Sequence, residues 1–398
     1  MTVTTRREKT LAHRLLDDTL DILTDLIAFE SVSSESNLDL IAYINQRLDQ
    51  LGTRTHLTLN EDGNKANLFA TFGDPEADGG IVLSGHTDVV PVEGQDWSTD
   101  PFVATNADGR IYGRGACDMK GFIACAMAFA PQFEDMAKTR PIHLAFTYDE
   151  EVGCLGAQVM LKDLAASGRR PALCIIGEPT MMKIIEGNKG CCEYTTHFTG
   201  LEGHGSMPDK GVNAIEYAVH YVSRLLDIGA TLRTRAPEAS RFEPPWSTIQ
   251  IGRMAGGIAR NIIAGTCSVE WELRPVQASD FTFTQEQIRG FVETDLLPRM
   301  RAVHPDAAII TETIGEVAGL EPMSQSEAVA LVRALTGNTD PTECVAFSTE
   351  AGLFQELGID TVVCGPGSID QAHKPDEFVA LDQLSACLEM MEGLGTRT

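Results

Sequence analysis

Four apolar runs in this chain stop on an acid or a histidine. "IVLSG" runs into His86, Thr87 and Asp88, and "IHLAFTY" into Asp149, Glu150 and Glu151. "LCIIG" is followed by Glu178, and "TVVCGPGSIDQA" by His373. With "NLFATF", these runs include several that are apolar on both faces, as strands covered by helices on each side must be. Helical patterns such as "KGFIACAMAFAPQF" and "LGAQVMLKDLAAS" lie between them. The alternation predicts an α/β/α domain with a mostly parallel sheet. Ligands bind outside the carboxyl ends of the strands in such sheets. The acids and histidines therefore converge on one crevice, joined by Asp118 of "GRGACDMKG", which sits just ahead of a helix.

Each piece has a plainer explanation taken singly. A histidine after a strand is commonly a surface hydrogen-bonder, an Asp beside Gly is turn chemistry, and three acids in a row are commonly a solvated loop. Five segments supplying two imidazoles and several carboxylates to one edge are harder to explain that way. Such a donor set, without thiolate, suits Zn²⁺ or a similar divalent ion. It holds more ligands than one open zinc site needs. A pair of ions ~3.5–4 Å apart sharing one carboxylate would use them all. Asp88 lies two residues beyond His86, so in an extended segment both side chains point the same way. The Asp88 carboxylate is expected to accept the other ring N–H of His86. Of the adjacent acids Glu150 and Glu151, one is needed as a ligand and the other is free to move protons.

Earlier, Leu11, Leu15, Leu20, Leu23, Leu26 and Ile27 mark one face of a helix, and a second helix runs from about Leu38 to Leu51. The middle of the chain has the order β-α-β-β-α-β, the ferredoxin-like pattern. Val269, Trp271 and Leu273 face one way there, and Glu270, Glu272 and Arg274 the other. We place this inserted domain at 184–316, with 1–183 and 317–398 forming the catalytic domain. "RTRAPEASRFEPPW" reads as an exposed loop of the insert.

The bulk properties are those of a soluble globular protein, with 43% hydrophobic and 22% charged residues. A formal net charge of -26 gives no basic patch for nucleic acid. No apolar stretch is long enough for a signal peptide or a membrane span. The ten cysteines lack CxxC spacing and mostly lie in apolar surroundings, so buried thiols in a cytoplasmic protein are expected.

"SGHTDVVP", "GRGACDMKG", "TYDEEVGCLGA", "GEPT", "GHGSMPDKGVNAI" and "GPGSIDQAHKPDE" together resemble the acetylornithine deacetylase and succinyl-diaminopimelate desuccinylase family of co-catalytic zinc amidohydrolases. The resemblance runs in order along nearly the whole chain. It implies that His86, Asp118 and Glu178 hold one metal and that Asp118, Glu151 and His373 hold a second, with Asp118 bridging. Two divalent ions per subunit follow, Zn²⁺ with Co²⁺ able to substitute. Glu150 would be the general acid/base and Asp88 the orienter of His86.

The resemblance also implies a homodimer in which the insert is a dimerisation or lid domain. His204 would reach into the partner's active site to stabilise the oxyanion, although a turn histidine is the alternative. Asn261 and Arg274 match positions that contact the substrate carboxylate, although Arg274 reads equally as part of a solvated face. Gly205 departs from the Ala or Ser that relatives often carry there. Glu350, after the strand-like "ECVAFS", is a candidate reader of a substrate δ-ammonium, or else a plain helix N-terminal carboxylate.

The activity implied is hydrolysis of N2-acetyl-L-ornithine to ornithine and acetate in arginine biosynthesis. Alternatives are another N-acyl-amino-acid hydrolase, such as the desuccinylase or a dipeptidase, and a catalytically silent binding protein on the same fold. The silent protein is expected to have lost Glu150 or a metal ligand, and all are present.

Overall fold

The computed structural model of the chain describes residues 11–395; the first ten residues of the N-terminal segment read above as lacking a leader, and 396–398, lie outside the described residues. The chain forms two compact units. The larger comprises residues up to Gly187, Pro322–Glu343 and Thr349 onwards, and the smaller comprises Asn188–Glu321 with Cys344–Ser348.

The larger unit is an α/β/α sandwich. Four strands, Ile142–Thr147, Ile81–His86, Leu173–Pro179 and Asp360–Gly365, lie side by side in that order, and all are parallel. The first three are buried along their whole length. Ala66–Phe72 and Arg54–Leu59 extend one side antiparallel, so the parallel character is confined to the centre. The helix Leu11–Ile27 buries Leu15, Leu23, Leu26 and Ile27 of the apolar face read from sequence. It packs on the helices Gly121–Met136 and Leu381–Leu394.

Gly177 shows why one of these contacts is so close. A Cβ there would stand 2.0 Å from Cγ of Phe122, so only glycine lets the helix Gly121–Met136 press onto the strand that carries Glu178.

The smaller unit has the ferredoxin-like order. Its strands Thr248–Gly256, Thr266–Arg274, Cys191–Thr199 and Ala308–Val317 are neighbours in that sequence, all antiparallel. The helices Ala214–Thr234 and Ala278–Phe291 pack on each other, and the first of them also packs on the sheet. Val269, Trp271 and Leu273 are buried, while Glu270, Glu272 and Arg274 are partly exposed, as the alternation predicts. Trp271 stacks near Tyr194, with ring centroids 4.5 Å apart, and its indole N–H donates to Thr196 Oγ1 at 3.1 Å.

The segment read as an exposed loop begins inside the first of these helices. It is partly tied down: Phe242 is buried, and Lys189 Nζ donates to the carbonyls of Pro244 and Trp246.

Candidate metal centre

The four central strands end at one edge, and the titratable side chains meet there. His86 closes its strand, Glu178 lies near the end of the next, and Glu150 and Glu151 follow the strand Ile142–Thr147. His86 Nε2 lies 3.0 Å from Asp118 Oδ1 and 3.8 Å from Glu178 Oε1. His373 Nε2 lies 3.5 Å from Asp118 Oδ2 and 3.0 Å from Glu151 Oε2. Ligand atoms of His86, Glu150 and Glu178 fall within 4.8 Å of one another, and so do those of His86, Asp118 and Glu151. Asp118 is thus common to both histidines.

The donor set fits divalent cations. His86 Nδ1 lies 2.9 Å from the Asp88 backbone carbonyl, which can only accept, so the ring proton belongs on Nδ1. The Nε2 lone pair then faces two carboxylates, an arrangement that calls for positive charge between them. Glu178 Oε1 is buried with no hydrogen-bond partner, an orphan of the kind a metal satisfies.

The titration of the cluster tells the same story. Burial disfavours charging His86, yet the hydrogen bond to Asp118 and the charges of Glu178, Asp118 and Glu150 lift its pKa well above 6.5. Hydrogen bonding to Asp118 and Glu151 raises His373 to about 10. Burial opposes ionisation of Asp118, but both imidazoles hold it well below the usual carboxylate range. Burial pushes Glu150, Glu151 and Glu178 upward, with the neighbouring carboxylates adding to it.

Asp88 departs from expectation. The N–H of His86 goes to its backbone carbonyl, and its carboxylate stands 3.6 Å from Nδ1. That carboxylate instead accepts the backbone N–H groups of Glu150 at 3.0 Å and Glu151 at 3.3 Å, and the Ser33 hydroxyl at 2.7 Å. Two residues in an extended segment do share a face, but the acid found unpaired backbone donors across the gap.

Glu350 is engaged inside the larger unit. It is 1% exposed, and its two oxygens accept from the hydroxyls of Ser84 and Thr147, the latter at 2.9 Å. An ammonium would have to displace both. Glu350 ties together the strands that end in His86 and Thr147.

The smaller unit brings His204 and Asn261 together. Gly203–His204 pairs with Ile262–Ile263, and Gly205 N–H donates to the Asn261 carbonyl at 2.8 Å. A Cβ on Gly205 would come within 3.0 Å of that backbone, so glycine makes the loop fit closely. His204 Nδ1 accepts the Ser206 backbone N–H at 3.3 Å, which puts the ring proton on the exposed Nε2. Arg274 is elsewhere on the sheet, with Nη2 2.8 Å from Glu272 Oε2.

Sequence reasoning missed the residues that hold these groups in place. Glu377 accepts from the backbone N–H groups of Gly115, Cys117 and Asp118 and from the buried Arg114, so it fixes the loop that presents Asp118. Its position four residues after His373 was the available signal. Lys65 and Asp149 form a buried ion pair that no local pattern marks.

A parallel-centred α/β/α sheet whose strand ends gather two imidazoles and four carboxylates around shared positions defines a metallohydrolase. The chain belongs to peptidase family M20/M25/M40, which matches residues 82–396. It is 34% identical over 387 residues to an acetylornithine deacetylase from Pasteurella multocida, covering 94% of this chain and 96% of that one. It is 36% identical over 378 residues to one from Myxococcus xanthus, covering 92% and 93%. Among solved structures it resembles an M20 family metallo-carboxypeptidase from Sulfolobus solfataricus, with TM-score 0.71, 18% identity and coverage of 95% and 98%. It also resembles a dinuclear metal-binding M20 peptidase from Bacillus subtilis, with TM-score 0.64, 14% identity and coverage of 96% and 98%. No helix among the described residues is long and apolar enough to cross a membrane.

Proposed function

We propose that this chain hydrolyses N2-acetyl-L-ornithine to ornithine and acetate, a step of arginine biosynthesis. The observation that carries this reading is the 34–36% identity to acetylornithine deacetylases over more than nine-tenths of both chains. His86, Asp118 and Glu178 would hold one divalent ion, and Asp118, Glu151 and His373 the other. Zn²⁺ fits the donors best, and Co²⁺ would substitute. When bound, the ions supply Lewis acidity toward the amide carbonyl and acidify the attacking water.

The chain's own residues do the rest. Glu150 takes the proton of the attacking water at a carboxylate oxygen and returns it to the departing α-amine. Burial raises its pKa toward the range where a carboxyl can do both. The exposed Nε2–H of His204 is a donor for the oxyanion. His204 acts in the partner subunit of a cytoplasmic homodimer; the insert read at 184–316, which the structure bounds as Asn188–Glu321 with Cys344–Ser348, serves as the dimerisation or lid domain, and the remainder, read as 1–183 and 317–398, is the catalytic domain. Asn261 faces the substrate carboxylate, and Arg274 joins it only by giving up Glu272.

A desuccinylase would need a further cation for the succinyl carboxylate. The larger unit's buried cations are all committed among its described residues. Lys65 pairs with Asp149, Arg114 with Glu377, and Lys120 Nζ donates to the Phe29 carbonyl. Assaying the purified, Zn²⁺-loaded protein on acetylornithine beside succinyl-diaminopimelate tests the reading. Turnover of acetylornithine by far the faster is expected, and a preference for succinyl-diaminopimelate overturns it.

A further inference from the structure

The run Asp149–Glu150–Glu151 sends its second and third acids to the metal cluster, and its first acid turns away. Asp149 has φ 54°, in the left-handed backbone region. Its carboxylate is buried and receives Lys65 Nζ at 2.6 and 2.7 Å, one contact per oxygen. The third proton of that ammonium goes to the Ser33 carbonyl. Lys65 is itself buried, so all three of its donors are spent inside the protein. The Ser33 hydroxyl donates to Asp88 Oδ2 at 2.7 Å, and Asp88 accepts the Glu150 and Glu151 backbone N–H groups.

Lys65 therefore reaches the Glu150–Glu151 loop by two routes. One passes directly through the Asp149 side chain. The other passes through Ser33 and Asp88 to the next two peptide groups.

We infer that Lys65 is a positioning residue for the proposed reaction: its clamp on Asp149 and on the Ser33–Asp88 bridge sets where the Glu150 carboxylate stands. This rests on the acid/base role proposed for Glu150, and the test separates the two ideas.

Lys65→Met keeps the length of the side chain and removes its charge. Asp149→Asn keeps the residue's tolerance of the left-handed conformation and weakens the clamp more gently, which guards against a Lys65 variant that fails to fold. Both are measured as the Zn²⁺-loaded full chain beside wild type and Glu150→Gln. Amide hydrogen exchange at Glu150 and Glu151 should accelerate at least ~10-fold in both variants. Metal content should stay at two ions per chain. On acetylornithine, kcat should fall ~10–100-fold with KM within about 3-fold of wild type.

Unchanged exchange at those two amides overturns the clamp. Faster exchange with unchanged kcat overturns its bearing on catalysis. If Glu150→Gln itself turns over normally, the acid/base reading falls, and the exchange measurement still decides whether Lys65 holds the loop.

Discussion

The Asp88 backbone carbonyl takes the His86 ring N–H at 2.9 Å while the Asp88 carboxylate, 3.6 Å from the same nitrogen, grips the Glu150 and Glu151 amides. One residue thus orients a proposed ligand with its main chain and the proposed base with its side chain. Asp88→Asn leaves the main-chain contact intact and spoils the grip, because an amide group cannot accept on both sides. We expect kcat on acetylornithine to drop ~10–100-fold with two metals still bound. Loss of metal in this variant, measured by elemental analysis, would show that the carboxylate serves His86 after all.

His373 and Glu151 stand on one side of Asp118, 3.0 Å apart. Glu151→Gln and His373→Ala should each empty one metal position and leave the His86–Glu178 side occupied. Titration with Zn²⁺ should then show one tight equivalent per chain. Two tight equivalents in both variants would remove these residues from the ligand set.

Glu350 is expected to act through the strands it ties together. Glu350→Gln should lower kcat/KM on acetylornithine and on acetylmethionine by the same factor, because the carboxylate touches Ser84 and Thr147 and no open surface. A loss confined to acetylornithine would mean that Glu350 reads the δ-ammonium.

His143 predicts an acid limit to the stability of the larger unit. It is buried, its Nδ1 lies 3.0 Å from the Thr71 hydroxyl, and it stacks on Phe69. Burial, helped by the charge of Arg169, lowers its pKa from 6.5 to about 4. The unfolded chain therefore binds a proton that the folded chain refuses across this window. The stabilisation is complete above about pH 6.5 and is lost as pH falls toward about 4, up to ~3 kcal/mol in all. His143→Gln should flatten the dependence of the urea midpoint on pH between these values. An unchanged slope would place the acid sensitivity in other groups.

What could be read from the sequence followed from burial pattern. Runs buried on both faces, such as Ile142–Thr147, carry their apolar residues consecutively, and alternation at Val269, Trp271 and Leu273 marks a sheet with one covered face. The candidate cluster was legible because His86, Glu150, Glu151 and Glu178 lie at or just past the ends of such runs, and His373 eight residues beyond Gly365.

The residues that hold the cluster in place were not legible. Lys65 and Asp149 are 84 residues apart, and Glu377 reaches the Cys117 backbone across 260. No periodicity encodes a pair that only tertiary folding creates. The further contacts of Asp88 escaped for a related reason: its spacing from His86 fixed a shared side, but nothing local marks the backbone N–H groups some sixty residues downstream that its carboxylate accepts.

Glu150→Gln tests the central claim most directly. It keeps the shape of the side chain and removes its capacity to carry a proton. With two Zn²⁺ ions per chain verified by elemental analysis, kcat on acetylornithine should fall by at least ~10²-fold, the scale of general acid–base catalysis. Turnover near that of the wild type at the same metal content would contradict the account.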